Sequence, residues 1–317
     1  MNKRTALLTA TCLFALATHE GRAQDSNLIK NPGFEKGKQG WKLKDKGSSL
    51  VRSPTHAGSG ALKLINDFTG KKAPSHDTVQ RVKGIKAGTE YLYSVWVRGE
   101  DVQGIGAGGK PMAMLSWLDR RGKKIGRWLN LHAPYKTYDW RQMVCHCEAP
   151  PKATQCDVYI RSWWDCTGGL TYWDDFVLQK RDLSDRGKLL ATFQAESADT
   201  RQGCTISSKK PGYSGKGYVT TAGKTAYVEW KNVSAGAGNH ILVIRYSQEA
   251  GRRKWSMLVN GKEQGKQKPI PTSSPEGWAT IAWTAKLKPG NNTVRLLFAK
   301  GIVGPWIDRL DVYAPAR

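Results

Sequence analysis

Aromatic and arginine side chains alternate along two stretches of this sequence in a way that suits contact with a sugar. Trp96 and Arg98 are two residues apart in the first stretch, and the second stretch repeats that spacing in Tyr159, Arg161 and Trp163. In a β-strand, residues two apart share one face. An aromatic ring packs against the C–H face of a pyranose, and the planar fork of arginine suits a carboxylate or sulfate. The pattern predicts an acidic-sugar groove, with burial of the tryptophans in a core as the alternative.

Acids and histidines are the next candidates for chemistry. Glycoside hydrolysis needs two opposed carboxylates at a fixed separation, and the available pairs are Asp174 with Asp175 and Glu249 with Asp308. These acids are predicted to lie at strand ends, and those positions explain their presence without a catalytic role. The five histidines of the mature chain lie in no recognisable catalytic arrangement, and the sequence has no nucleophile elbow, phosphate loop or zinc-helix motif. We therefore predict a protein that is not an enzyme, with a polysaccharide lyase or glycoside hydrolase on a jelly-roll scaffold as the alternative.

Short strands separated by turns must position these residues. Apolar or alternating runs of strand length occur at 62–65, 91–97, 158–163, 241–246 and 293–298, and no segment has a sustained helical stripe. This pattern predicts an all-β protein of two β-sandwich domains. A charged segment poor in large apolar residues is expected to link them. The predicted divisions are a first domain at 24–180, a linker at 181–190 and a second domain at 191–317.

The charge of the chain narrows the class of partner. Its 317 residues include 50 Lys and Arg against 26 Asp and Glu, a formal net charge of +24. Such a field attracts polyanions, with a strong dependence on salt. Nucleic acid, anionic lipid surfaces and acidic polysaccharide are the classes to consider, and a merely solvated basic surface is the alternative. No nucleic-acid-binding signature occurs in the sequence, so we expect no specific nucleic-acid partner.

The N-terminal residues have the pattern of a secretory signal. Lys3 and Arg4 precede an apolar run at 6–17, and Gly21-Arg22-Ala23 offers a small-x-small cleavage site. The run is too short for a stable membrane span. We expect residues 1–23 to be removed and the mature protein to be secreted, periplasmic or on the cell surface, without a membrane span.

Cysteine usage is consistent with an oxidising compartment. Cys145, Cys147, Cys156 and Cys166 lie close together in the sequence, and this predicts a local disulfide cluster with three possible pairings. Cys147 and Cys156 flank a Pro-rich turn, so a bridge across a hairpin is one of them. Cys204 has no evident partner. A metal site built on Cys145 and its neighbours is disfavoured, because adjacent strand residues face opposite ways.

Three motifs in the last third of the chain resemble one group of carbohydrate-binding modules. They are Phe193-Gln194-Ala195-Glu196, the Gly- and Tyr-rich stretch at 212–219, and Ile307-Asp308-Arg309-Leu310-Asp311-Val312. This opening, middle and ending resemble families 6 and 35, which are small β-sandwiches that hold sugars without cleaving them. The resemblance implies a galactose-binding-like sandwich in the second half.

The first half resembles a different group of modules. The opening Asn27-Leu28-Ile29-Lys30-Asn31-Pro32-Gly33-Phe34-Glu35 is followed by Gly40-Trp41, and the segment ends in Tyr172-Trp173-Asp174-Asp175-Phe176-Val177-Leu178. These motifs resemble carbohydrate-binding modules of families 4, 9 and 22. The resemblance implies a jelly-roll sandwich over residues 27–178, and the two resemblances together leave little of the chain for a catalytic domain.

Both groups of modules commonly carry a structural calcium ion where the first and last strands meet. Oxygen ligands from the two ends of a domain suit this hard cation. The matching positions in the first half are Glu35 and Asp175. Those in the second half are Gln194, Glu196 and Asp311. The alternative is that these acids merely end strands or pair with nearby lysines and arginines.

The sugar site implied for the second half lies on the loops that join its strands. Trp306 stands where the families commonly have an asparagine, and it could provide a stacking surface with Tyr213 and Trp255. Arg252 and Arg253 form a basic loop beside that site, suited to an anionic substituent. We therefore predict an exported, non-catalytic protein of two modules that bind an acidic polysaccharide, uronate-rich or sulfated. A structural envelope or adhesion protein is a further alternative.

Overall fold

The structure is a computed structural model that carries no ligand. It describes residues 27–44, 46–67, 76–105, 110–163, 165–221, 226–248, 255–264, 271–272, 277–298 and 305–314. Within these ranges the chain forms antiparallel β-strands and two short 3-10 turns, with no α-helix. This confirms the predicted all-β class and β-sandwich fold. No helix of the described part is long and apolar enough to cross a membrane. The predicted signal segment lies outside the described residues.

Ten strands form the first sandwich. They are β1 (Lys42–Leu43), β2 (Ser48–Val51), β3 (Ala61–Asp67), β4 (His76–Lys83), β5 (Glu90–Gly104), β6 (Met112–Leu118), β7 (Leu129–His132), β8 (Lys136–Glu148), β9 (Gln155–Ser162) and β10 (Cys166–Lys180). Sheet I has the strand order β1-β4-β9-β6-β7, and sheet II has the order β2-β3-β10-β5-β8. The two sheets enclose a single buried apolar cluster.

Period-2 alternation explains which side chains fill this core. Tyr91, Tyr93, Val95 and Val97 of β5 are all fully buried, whereas the intervening Trp96 is only half-buried. In β9, Val158 and Ile160 are likewise buried, and Tyr159 between them is only half-buried. Burial of one strand face against the opposite sheet is the main stabilising contribution. The outer faces are left to carry polar and aromatic groups.

Eleven strands form the second sandwich. They are β11 (Leu189–Gln194), β12 (Thr200–Gln202), β13 (Cys204–Ser207), β14 (Tyr218–Thr221), β15 (Ala226–Ala235), β16 (Gly238–Ser247), β17 (Trp255–Val259), β18 (Lys262–Gln264), β19 (Ala279–Leu287), β20 (Gly290–Phe298) and β21 (Trp306–Tyr313). Sheet III has the order β13-β14-β21-β16-β19, with β11 also paired to β21, and sheet IV has the order β12-β15-β20-β17-β18. A second apolar cluster fills the space between them.

The charged segment between the sandwiches is built into their junction. Its 3-10 turn spans Ser184–Arg186, and Arg186 is buried. Arg181 donates to Glu90 of β5 at 2.5 Å and to the carbonyl of Thr280 in β19 at 3.1 Å. The Thr280 hydroxyl oxygen lies 2.7 and 2.8 Å from the two oxygens of Glu90, which share its single proton. The predicted linker arginines are therefore paired at the junction rather than solvated.

The predicted disulfide cluster is not present: all five described cysteines are free thiols. Cys145 and Cys147 are two residues apart on β8, so both point into the core, and the Cys147 thiol donates weakly to the carbonyl of Tyr91 at 3.8 Å. Cys156 is also buried in the core, and burial raises its pKa above the ordinary range. These sulfur atoms therefore act as small apolar groups in the core.

Candidate functional site: aromatic faces and acidic clusters

An aromatic cluster lies on the outer side of sheet I. We use the name aromatic face for Trp128, Tyr159, Arg161 and Trp163. The Trp128 and Tyr159 rings are nearly parallel, with an interplanar angle of 18° and a centroid separation of 6.0 Å. The Arg161 guanidinium lies 4.8 Å from the Trp128 ring centroid and 5.4 Å from the centroids of Tyr159 and Trp163. Three half-buried rings are thus held around one cation.

Ion pairs across sheet I orient the aromatic face. Arg161 donates to the two carboxylate oxygens of Asp77 on β4 at 2.6 and 2.7 Å, and its side chain is only 12% exposed. Arg81 makes the same bidentate pair with Asp157, at 2.7 and 2.8 Å. Burial, followed by the nearby Asp157 carboxylate, raises the pKa of Tyr159. The fork of Arg161 is occupied by Asp77, so Arg161 positions the rings and does not offer a free fork to an anionic ligand. This corrects the role predicted from the sequence.

Basic side chains surround the aromatic face. Lys44 Nζ lies 5.6 Å from the Tyr159 ring centroid, and Lys124 Nζ lies 5.2 Å from that of Trp128. A pocket of about 550 Å³ adjoins Tyr159, and its walls include Trp41, Lys42, Lys44 and Arg81. Lys42 and Lys124 are exposed. A flat aromatic surface beside exposed ammonium groups is suited to a sugar that carries negative substituents.

Trp96 and Arg98 lie on sheet II and do not join the aromatic face. The Trp96 ring stacks on His56 at a centroid distance of 3.8 Å, and Trp140 contacts the edge of that imidazole at 5.8 Å. Arg98 pairs with Glu100 at 3.2 Å. At least one face of Trp96 is therefore covered by protein. The sequence correctly placed these two residues outside the core but gave no sign that they belong to the other sheet.

The predicted calcium ligands of the first half approach one glycine. A Cβ built on Gly33 would lie 3.2 Å from Oδ1 of both Asp174 and Asp175 and 3.5 Å from Oε1 of Glu35. Burial, followed by the charge of Asp175, raises the pKa of Asp174 to about 7. The other Asp174 oxygen accepts a hydrogen bond from the backbone N–H of His56 at 2.8 Å. The sequence pattern indicated Asp174 only as half of a catalytic pair and gave no sign of its place beside Glu35.

The acidic cluster of the second half differs from the predicted one. The Ser214 hydroxyl oxygen lies 3.0 Å from Gln194 Oε1 and 2.9 Å from Asp308 Oδ2, so its single proton is shared between these two acceptors. Glu196 Oε1 accepts the backbone N–H of Lys216 at 2.7 Å, whereas its buried Oε2 has no hydrogen-bond partner in the described structure. Asp308 therefore belongs with Gln194 and Glu196.

Asp311 does not belong to that cluster. It accepts hydrogen bonds from Thr192 at 2.8 Å and from Arg309 at 2.9 Å, because β21 places it opposite Thr192 and not opposite Gln194. The prediction of Asp311 as a ligand beside Gln194 and Glu196 is therefore wrong. Within the described ranges, no group of three or more His, Cys, Asp or Glu residues is arranged so that it could hold a metal ion.

The aromatic residues predicted for the second sugar site are scattered. Trp255 is only 4% exposed and packs against Trp283 at 5.4 Å, so its ring belongs to the core and the predicted stacking role is wrong. The Lys210 ammonium lies 2.7 Å from the Trp306 ring centroid and covers one face of it. Tyr213 packs against Tyr218 at 5.8 Å. Arg252 and Arg253 lie outside the described residues.

Comparison with known proteins shows that the second half of the chain is similar to a known family. Residues 201–306 match the family model of carbohydrate binding module family 35. The C-terminal region is thus supported as a carbohydrate-binding module. The family 35 module of Paenibacillus barcinonensis is 27% identical, with a TM-score of 0.37, over 39% of this chain and 99% of that one. A family 35 module of Clostridium thermocellum is 28% identical, with a TM-score of 0.37, over 39% and 97%.

One curated protein is also similar. Exochitinase 1 of Streptomyces olivaceoviridis is 30% identical over 174 residues, which is 55% of this chain and 25% of the exochitinase. The chain therefore spans about a quarter of that relative's length. The resemblance of the first half to families 4, 9 and 22 stays a prediction.

Proposed function

We propose that this protein is exported and binds an acidic polysaccharide, uronate-rich or sulfated, without cleaving it. The observation that carries the proposal is the aromatic face of sheet I, with exposed lysines at its edge. The family 35 match of residues 201–306 supports carbohydrate binding by the second half as well. Two weak sites on one chain gain avidity when both reach the same polymer.

Lysine, rather than Arg161, supplies the free positive charge in this proposal. Arg161 is paired with Asp77, whereas Lys42 and Lys124 are exposed beside the rings. The sugar rings would stack on Tyr159 or Trp163, and the acidic substituents would lie near the ammonium groups. The formal net charge of +24 would raise the rate of encounter with such a polymer, and added salt would reduce it.

We also propose a structural calcium ion in each half. In the second half, Gln194, Glu196 and Asp308 supply oxygen donors, and the unpartnered Glu196 Oε2 fits a cation. In the first half, the predicted donors Glu35 and Asp175 both approach Gly33, and backbone carbonyl oxygens would complete the ligand set. The ion would supply positive charge between the two chain ends of each sandwich.

Affinity electrophoresis at two salt concentrations tests the proposed function. The gels would contain alginate, pectate, chondroitin sulfate or a neutral xyloglucan. We expect retardation by the acidic polymers that weakens as salt rises, and little retardation by the neutral one. Migration unchanged by every polymer at low salt would overturn carbohydrate binding and favour the structural envelope or adhesion role.

Incubation with the same polymers separates binding from catalysis. The similarity to Exochitinase 1 makes soluble chitin oligomers a necessary addition to this panel. We expect no new reducing ends and no unsaturated uronate absorbance after prolonged incubation. Release of either product, lost on substitution of Asp174 or Asp308, would establish the enzymatic alternative.

A further inference from the structure

Three polar side chains lie in a row along the outer side of β7. Trp128, Asn130 and His132 alternate with Leu129 and Leu131, which are buried in the core. Trp128 Nε1, Asn130 Oδ1 and His132 Nδ1 are each buried and have no hydrogen-bond partner in the described structure. A buried polar atom left unpaired costs about 1–3 kcal/mol, so three in succession need an explanation. We call these three residues the β7 row.

The β7 row shares Trp128 with the aromatic face, and two methionines separate its other two residues from Tyr159 and Arg161. On β6, Met114 pairs with Asn130 on one side and with Tyr159 on the other. Met112 lies in the same way between His132 and Arg161. Both methionines are buried, and the Trp128 ring reaches across them to Tyr159. A sugar ring stacked on the aromatic face would therefore have a substituent next to the β7 row.

The polar atoms of the row have complementary hydrogen-bonding capacities. The Trp128 indole can only donate, and the Asn130 carbonyl oxygen can only accept. Burial, and then the charge of Lys110, lowers the pKa of His132, so its imidazole is neutral near pH 7 and offers one donor and one acceptor. A secondary amide presents an N–H and a C=O on opposite edges, with an apolar methyl beside them. A hydroxyl has its donor and its acceptor on one atom, whereas the acetamido group has them on two separate atoms, as the β7 row does.

We propose that the β7 row is a subsite for the acetamido group of an N-acetylated amino sugar. The Trp128 indole N–H would donate to the acetamido oxygen, and Asn130 Oδ1 would accept from the acetamido N–H. All three residues of the row are half-buried, and a rotation of their side chains would bring these atoms to a ligand. The inference rests on the proposed function and narrows it to acidic polysaccharides whose repeat contains an N-acetylated amino sugar.

A matched pair of neutral oligosaccharides tests the subsite. Chitohexaose and cellohexaose have the same β-1,4 linkage and length and differ in the acetamido or hydroxyl group at C2. By isothermal titration calorimetry on the full chain we expect chitohexaose to bind about tenfold more tightly, as two additional hydrogen bonds would give. Asn130→Leu should remove the preference and leave cellohexaose affinity nearly unchanged. Trp128→Phe should also remove the preference, but cellohexaose affinity alone does not report it, because Trp128 belongs to the aromatic face; the ratio of the two affinities is therefore the measurement. The control is Asn291→Leu, which changes an exposed asparagine of β20 in the second sandwich. This variant should keep the preference for chitohexaose.

Circular dichroism melts of each variant show whether it is folded. If Asn130→Leu does not fold, the Trp128→Phe variant is used to test the subsite instead. Equal affinities for the two hexaoses, together with retardation by acidic polymers, would overturn the acetamido subsite and leave the proposed function standing. A preference that persists in both variants would also overturn the subsite, since it would arise elsewhere. Failure to bind either hexaose or any acidic polymer would overturn the proposed function itself.

Discussion

The sequence placed Arg161 on the correct face of its strand but did not predict its role correctly. Strand alternation predicted that Arg161 and Tyr159 share an outward face, and they do. The spacing could not reveal Asp77, which lies 84 residues away on β4 and takes both arms of the guanidinium. Long-range partners of this kind depend on strand order. Free positive charge near the rings comes instead from lysines, which the sequence did not single out.

Two tryptophans predicted as sugar contacts should respond oppositely to truncation. Trp163 is half-buried at the end of β9, so Trp163→Ala should weaken retention by acidic polysaccharide about tenfold, equal to about 1.4 kcal/mol, with little change in melting temperature. Trp255 is packed in the second core, so Trp255→Ala should destabilise the fold by about 3–5 kcal/mol. Affinity electrophoresis and calorimetric melts measure the two effects. An unfolded Trp163→Ala protein would place that ring in the core and contradict its role as a sugar contact.

At the scale of elements, the sequence predicted individual strand faces better than it predicted how strands assemble. Trp255, Met257 and Val259 alternate with less buried residues, and all three are buried. Their shared apolar character was a signal that Trp255 faces inward. Trp96 and Tyr159 both point outward, but β5 and β9 lie in different sheets, and nothing local in the sequence specifies that.

The strand that contains the β7 row could also have been predicted from the sequence. Trp128, Asn130 and His132 follow period 2 with leucines between them, which is the pattern of a half-buried strand. What the sequence could not show is that their polar atoms lack partners, since that depends on β6 and on the residues that cover the sheet. Asp308 was similarly visible as part of a motif, but its place beside Gln194 requires the pairing of β11 with β21.

Removal of calcium should lower the stability of each sandwich, because the proposed ion joins its two chain ends. If an ion links Glu196 and Asp308, EGTA should lower the melting temperature, and added calcium should restore it. Glu196→Gln removes one negative ligand, so this variant should melt lower in calcium and respond less to EGTA. Differential scanning calorimetry measures both. A wild-type melt that is the same with EGTA and with calcium would contradict the proposed ion.

At the scale of the molecule, buried charge joins the two sandwiches. Glu90 is only 7% exposed; burial alone would raise its pKa, but Arg181 and Arg186 hold it below the ordinary value. Arg245 of β16 connects Glu148 of β8, at 2.9 Å, with Asp308 of β21, at 2.7 Å. Arg245 therefore connects the first sandwich to the acidic cluster of the second. These contacts predict that the two halves do not move independently.

The junction should become less stable as pH falls. Burial, followed by the charge of Arg181, lowers the pKa of His146 from its ordinary value to about 4. Between about pH 6.5 and pH 4 the unfolded chain therefore binds a proton at this site that the folded chain does not, so stability is lost as pH falls through that window. His146→Gln should reduce the slope of melting temperature against pH there. An unchanged slope in the variant would show that other groups cause the acid sensitivity.

Coupling of the two sandwiches can be tested through Glu90, which lies in the first sandwich and receives donors from the linker segment and from the second sandwich. Glu90→Gln would leave Arg186 buried without its charge partner, and breaking such a pair costs about 3–5 kcal/mol. We expect the wild type to unfold in one calorimetric transition and Glu90→Gln to unfold in two, because the sandwiches would no longer melt together. Glu100→Gln is the matched control: it lies on the same strand and pairs with Arg98 at the surface, where a salt bridge contributes about 0–1 kcal/mol. That variant should keep a single transition. Two transitions already present in the wild type would show that the junction does not couple the halves, and the avidity of two sites would then depend on a movable connection.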